Sequence, residues 1–246
     1  FYVTSCKGWH ALTQPSTNGG TPASSGRTPA QGNRLDPWYD VYADRAHNLR
    51  ASEIRALFSV VSRPEVVSLA GGMPNLKDLP LDKLAASAEK LIRNHGAQAM
   101  QYGSGQGWEV LRERITEVMT YDGIVGADPD DVVVTTGSQQ ALDLVTELFV
   151  NPGDVILAEA PSYVGALGVF RARQADVVHV AMDEHGIIPE ALVETIRDVR
   201  ASGRTIKFIY IIPNYHNPAG VTLSAERRPI IAEICLREHV LIVEDN

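Results

Sequence analysis

The sequence predicts an α/β protein built around an open, mostly parallel sheet. Three observations lead to that fold class. Apolar runs of strand length, rich in β-branched residues, occur at Val155–Ala158, Ala175–Met182, Ile206–Ile212 and Val240–Val243. Segments with helical spacing lie between them, the alternation expected of βαβ units. Turn residues close these runs and bring Tyr163, Asn217 and Asp245 to their carboxyl ends, where ligands gather in open α/β sheets.

The totals are compatible with this fold and exclude several others. With 246 residues, 44% of them hydrophobic, the chain can bury a substantial core. Its net charge of -8 argues against nucleic acid as the main partner, because duplex binders carry a basic face. Two cysteines, Cys6 and Cys235, make neither a disulfide framework nor a metal cluster, and a reducing, cytoplasmic compartment is expected. No apolar run approaches the ~20 residues that span a bilayer, so no membrane partner is expected.

Residues 1–35 contain Lys7, Arg27 and Arg34 but no acid, and 13–32 are crowded with Gly, Pro, Ser and Thr. Such a stretch buries too little apolar surface to offset its ordering entropy and reads as a disordered tail or linker. Helical spacing then runs through Leu49, Ile54, Leu57, Phe58 and Val61. Ser52 is placed to cap a helix over 53–62, which stops before Pro64. By periodicity alone Arg55 is a surface cation on that helix. The paired glycines of Ala70-Gly-Gly-Met-Pro74 make either a bare turn or a close backbone approach to a ligand at Gly72. Amphipathic helices are expected over 81–94 and 108–121, the second with Leu111, Ile115, Val118 and Met119 on its apolar face.

Asp131–Thr136 reads as another short strand. Gly137-Ser-Gln then opens a helix with Ala141, Leu142, Val145, Leu148 and Phe149 on one face. A glycine and a hydroxyl residue at a helix N-terminus make an anion site, because the free amides and the helix dipole favour negative charge. Ser138 is either part of that site or simply the N-cap. Asn151-Pro-Gly-Asp154 turns the chain into the strand at Val155, and Tyr163 at that strand's end can face a flat ring or fill the core. A helix over 189–202 crosses to the strand at Ile206. Next comes Pro213-Asn-Tyr-His-Asn-Pro-Ala-Gly220, a turn that leaves Asn214 and Asn217 at the strand's end. There an Asn donates its amide hydrogen to a ligand oxygen without bringing charge, or merely caps the strand. Ser224 caps a helix to about His239, and Pro229 in its early turns predicts a kink or a late start. Glu244-Asp245 ends the last strand.

The P-N-x-x-N-P-x-G pattern of Pro213–Gly220 resembles fold-type I aminotransferases that depend on pyridoxal 5'-phosphate (PLP). Ala70-Gly-Gly-Met-Pro74, Gln101-Tyr-Gly103, Thr136-Gly-Ser-Gln-Gln140, Pro161-Ser-Tyr163 and Glu244-Asp245 match that family in its expected order. The nearest likeness is to the α-aminoadipate/kynurenine aminotransferase group, and it extends from about Asp36 to the last residue. The resemblance implies a three-layer α/β/α large domain over 98–246, incomplete at its carboxyl end, preceded by an N-terminal helix and part of a small domain over 36–97. It further implies an enzyme moving an amino group between an amino acid and a 2-oxo acid. Ser138, Gln139, Tyr163, Asn217 and Asp245 would hold the cofactor, together with Tyr102 supplied across a homodimer interface. Arg55, paired with Ile54, would reach the substrate along with Gly72 and Asn217. The family's Schiff-base lysine lies further along than Asn246, and Lys207 does not match it, so no catalytic residue is assigned. Two variants of this reading are an aminotransferase-like lyase and the PLP-sensing domain of a MocR-type transcription regulator. The regulator would carry a winged helix, which is not visible, and usually lacks the Asn217-Pro218 pair. A third reading is an inert fragment.

Overall fold

The computed structural model describes residues 38, 41–47, 65–67, 76 and 78–246. The expected tail over 1–35, the helix over 53–62 with Arg55, and the glycine turn with Gly72 lie outside the described residues. The chain divides into a unit Phe1–Tyr42 and a compact unit Ala43–Asn246. In the first, the Val41 amide donates to the Trp38 carbonyl at 3.0 Å. The second carries the fold.

Its helices are α1 (Asp44–His47), α2 (Leu81–Ala99), α3 (Glu109–Met119), α4 (Ser138–Phe149), α5 (Val164–Ala172), α6 (Pro189–Ala201) and α7 (Arg227–Arg237). Its strands are β1 (Val155–Ala160), β2 (Asp176–Asp183), β3 (Gly186–Ile187), β4 (Ile206–Ile211) and β5 (Leu241–Glu244). They make one sheet in the order β3-β2-β1-β4-β5. β1 pairs in parallel with β2 and β4, and β4 with β5, while the two residues of β3 run antiparallel to β2.

Alternation along the central strands sorts the core into two layers. Val155 and Leu157 of β1 and Ile209 and Ile211 of β4 pack against Leu192, Ile196 and Val199 of α6 and Ile231, Ile234 and Cys235 of α7. Ile156, Ala158, Phe208 and Tyr210 point to the opposite face, against Leu142 of α4 and Ala166, Val169 and Phe170 of α5. The arrangement is the expected three-layer α/β/α with a mostly parallel sheet. The proline in α7 acts as a late-start signal and corrects the expected cap: the N-cap is Glu226 rather than Ser224, whose Oγ accepts from the Arg227 amide at 3.4 Å, and Pro229 sits in the first turn, where a missing amide costs little.

Four expectations are corrected. Asp131–Thr136 is not a strand. Pro129–Asp131 form a 3-10 turn, and among the described residues the extended stretch after it has no partner strand, though the Val134 amide donates to the Gln106 carbonyl at 2.8 Å. β-propensity alone makes no ladder without a partner strand. The α3 stripe is only half realised. Ile115 and Met119 are partly buried, Leu111 and Val118 are exposed, and the buried residue is Arg112. Its guanidinium donates to the Pro129 carbonyl at 2.7 Å and to Asp130 at 2.9 Å, satisfying a turn that apolar side chains would leave unpaired. On α4, Leu142 is buried but Leu148 and Phe149 are exposed, while Thr146 is buried with its hydroxyl bonded to the Leu142 carbonyl. Helix α2 runs past the expected end at Asn94 to Ala99, across a non-helical His95, and buries none of its residues.

Candidate active site at the carboxyl edge of the sheet

The carboxyl ends of β1, β4 and β5 each deliver one of the singled-out segments. Pro161–Tyr163 follows β1, the Pro213–Gly220 turn follows β4, and Asp245 follows β5. Asp245 is held there by its own amide, which donates to the Ile211 carbonyl at 2.9 Å and continues the β4–β5 register. Its side chain is fixed separately: the Tyr210 hydroxyl donates to Asp245 Oδ2 at 2.6 Å. Burial, and then that bond, hold the Tyr210 phenol far above its ordinary pKa, so it stays a donor at every working pH. One carboxylate oxygen of Asp245 is therefore oriented by the core, and the other accepts no hydrogen bond among the described residues.

The start of α4 is an amide cradle. Gly137 is the N-cap, with φ 79° and ψ 166°, and Ser138 is the first helical residue rather than the cap. The Thr136 amide donates to Gln140 Oε1 at 2.5 Å and the Gln140 amide to the Gly137 carbonyl at 3.2 Å. The amides of Ser138 and Gln139 meet no acceptor among the described residues, and no acid occupies the first turn. Amides and dipole there favour an anion. The backbone of Gly137 lies where essentially only glycine is stable, and nothing stands within 4 Å of where a Cβ would be. Gly137→Ala is therefore expected to lower stability by roughly 1–3 kcal/mol through backbone strain alone. A urea titration checks this, and a parental midpoint would show that the cap does not need its left-handed conformation.

Contacts tie this cradle to the strand ends. Gln139 Nε2 donates to the Gly165 carbonyl at 3.1 Å, joining the N-termini of α4 and α5. Tyr163 is half-buried and packs on the core layer that holds Tyr210. Gly165 makes room for it: a Cβ there would come within 2.3 Å of the Tyr163 ring. Ser162 Oγ, buried beside it, has no hydrogen-bond partner among the described residues. Asn217 is exposed on its turn, and Asn214 instead bridges to Asn246, Nδ2 to Oδ1 at 2.6 Å. The structure thus gathers Ser138, Gln139, Tyr163, Asn217 and Asp245 at one edge of the sheet. Tyr102 is fully exposed and touches none of them. The sequence reading passed over Tyr210, Glu159, His216 and Gly165. For Glu159 and His216 a signal existed: a carboxylate in the apolar run of β1, and a histidine inside the asparagine turn.

The donor set suits a flat, phosphorylated, nitrogen-bearing ring: free amides and a hydroxyl for the phosphate, an aromatic face, and a half-buried carboxylate with one oxygen already oriented. Among the described residues no group of histidine, cysteine and acid side chains is arranged to hold a metal ion, and no helix is long and apolar enough to cross a membrane.

Comparison with known proteins points the same way. Residues 64–246 match the family model described as aminotransferase class I and II. Aromatic-amino-acid aminotransferase 1 of Thermococcus litoralis is 37% identical over 205 residues, covering 83% of this chain and 49% of the relative. The crystal structure of Pyrococcus horikoshii kynurenine aminotransferase in complex with PMP superposes with a TM-score of 0.79 at 33% identity, over 87% of this chain and 52% of that one. The α-aminoadipate aminotransferase of Thermus thermophilus, complexed with N-(5'-phosphopyridoxyl)-L-leucine, superposes at 0.73 with 32% identity, over 85% and 50%. The chain spans about half the length of the curated relatives it matches.

Proposed function

The chain belongs to the class I and II aminotransferase family, and from that premise we propose that the full-length protein is a PLP-dependent aminotransferase acting between an amino acid and a 2-oxo acid. The observation that carries the reading is Asp245, a carboxylate at the end of β5 with one oxygen held by Tyr210. When bound, the cofactor supplies an electron sink for the charge left by proton loss at the substrate Cα. The chain's own residues hold it. The Ser138 and Gln139 amides and the Ser138 hydroxyl take the phosphate. Tyr163 covers a ring face, and Asn217 donates its side-chain amide to a ligand oxygen. Asp245 holds a proton on the ring nitrogen, because an adjacent anion favours the charged form. Arg55, with Gly72 and Asn217, contacts the substrate.

Residues 98–246 form the cofactor domain, 36–97 an N-terminal helix and part of a small domain, and 1–35 a tail. The working unit is a cytoplasmic homodimer in which Tyr102 reaches the neighbouring subunit's site; its full exposure here is consistent with a partner beyond its own subunit. The names of the relatives, which include kynurenine, aminoadipate and aromatic amino acid aminotransferases, support substrates of that size.

The test is PLP binding by the purified full-length protein, followed by absorbance, beside sedimentation. The parent is expected to retain PLP through gel filtration as a dimer, and Tyr102→Phe to retain less without loss of folding. A full-length protein that takes up no PLP would end the reading, and an active monomer would end the shared-site part of it.

A further inference from the structure

Glu159 and His216 form a buried contact that the proposed chemistry leaves unused. Glu159, near the end of β1, is 1% exposed, and its Oε2 accepts the Ile212 amide at 2.8 Å just past the end of β4. The same oxygen lies 3.1 Å from Nε2 of His216, which is 2% exposed, although the ring N–H does not point along a good hydrogen-bond line. His216 is the hub of the asparagine turn. Its amide donates to the Val221 carbonyl at 2.8 Å, its carbonyl accepts from the Gly220 amide at 2.6 Å, and its Nδ1 accepts from the Ala219 amide at 3.2 Å. A ring nitrogen that accepts an N–H carries no proton, so the one proton of the neutral ring sits on Nε2, facing Glu159.

Burial pushes the Glu159 carboxyl up to about 7, partly offset by the Ile212 amide, and burial also lowers the His216 pKa. The titratable groups on the surrounding elements are few. On β2, His179 Nδ1 lies 3.0 Å from the Glu159 carbonyl. On β4, the Tyr210 hydroxyl is turned to Asp245. On α7, Arg228 bonds Asn214 and the Leu223 and Pro213 carbonyls. None of these is an acceptor placed to compensate a cationic His216.

We propose that Glu159 and His216 are positioning residues for Asn217, bolting its turn to the ends of β1 and β4 so that its side-chain amide stays presented to ligand. Asn217 lies between two tethered residues, His216 and Ala219, while itself remaining exposed. This rests on the reading of Asn217 as a ligand contact, but the exchange measurement below, made without cofactor, does not. Glu159→Gln keeps an oxygen for the Ile212 amide and for Nε2. Glu159→Leu removes it. His216→Gln keeps a donor near Nε2 without a titrating ring.

The experiment is amide hydrogen exchange across 214–221 in the cofactor-free full-length protein, with steady-state kinetics alongside. Glu159→Leu is expected to speed exchange at Ala219–Val221 by about tenfold or more, leaving α6 unchanged, and Glu159→Gln to restore parental rates. In the kinetics, Glu159→Leu raises KM about fivefold or more with kcat within about twofold, because contacts made equally in the ground and transition states move KM alone. On acidification the Glu159 carboxyl, raised to about 7, takes its proton first, and at lower pH a second proton on His216 sets Nδ1–H against the Ala219 N–H. The turn then opens in the parent, and His216→Gln lacks this acid limb. Parental exchange in a folded Glu159→Leu protein, failure of Glu159→Gln to rescue, or an acid limb that survives in His216→Gln would each overturn the proposal. A parent with no aminotransfer would refute the functional reading, and the exchange data would still decide this one.

Discussion

Asp245→Asn in the full-length protein is expected to slow turnover more than a hundredfold while PLP is retained nearly as well. On the proposed reading the cofactor would supply an electron sink for the substrate's charge, and Asp245 would hold a proton on its ring nitrogen. The structure sharpens the reason. Tyr210 donates to one oxygen of Asp245, and its raised pKa keeps it a donor. In the Asn variant the amide oxygen takes that bond, and the remaining group is an N–H donor, which favours an unprotonated ring nitrogen. A loss of ~3 kcal/mol in transition-state stabilisation is already over a hundredfold, at ~1.36 kcal/mol per tenfold. On the proposed reading, retention would depend mainly on the amides at Ser138 and Gln139, which the substitution leaves alone. Half-reaction kinetics with a reactive amino acid measure the effect directly. Parental rates would reduce Asp245 to a residue that ends a strand.

Phe170→Ala is expected to cost about 3–5 kcal/mol of stability, a large share of the ~5–15 kcal/mol that separates folded from unfolded domains. Phe170 is fully buried on α5, and its ring meets two others edge-on: Phe208 at 5.8 Å and Tyr210 at 5.5 Å between centroids. Removing it opens a cavity between helix and sheet and deletes both aromatic pairs. Tyr210 then loses a wall that sets its ring, so the hydroxyl that orients Asp245 loosens with it. Denaturant unfolding of the parent and variant reads the cost. A loss below about 1 kcal/mol would mean that α5 does not seal this face of the sheet.

Much of the site was legible because its signals are local. Gly137-Ser-Gln opens a helix as expected, with Ser138 its first residue. The prolines of Pro213–Gly220 end β4 within two residues of the expected point, and Asp245 follows β5 as read. Local signals also misled. Val132–Thr135 have strand composition but no partner strand among the described residues, and the periodicity of α3 concealed that its buried member is an arginine with a carbonyl and a carboxylate to satisfy.

The sequence by itself determined the α/β class, the four longer strands, helices α2, α3, α4, α6 and α7, and which residues stand at the strand ends, since periodicity and turn chemistry act over a few residues; it showed neither α5 nor the two-residue β3. Only the tertiary structure decided which strands are neighbours, with β1 central between β2 and β4. It alone placed Tyr210 under Asp245, 35 residues apart, and the Ile212 amide on Glu159, 53 residues apart. The alternation of a strand says which face a side chain takes and nothing about the strand beside it. That choice is made by packing both layers of the core at once, and the positions of Asp245 and Asn217 follow from it.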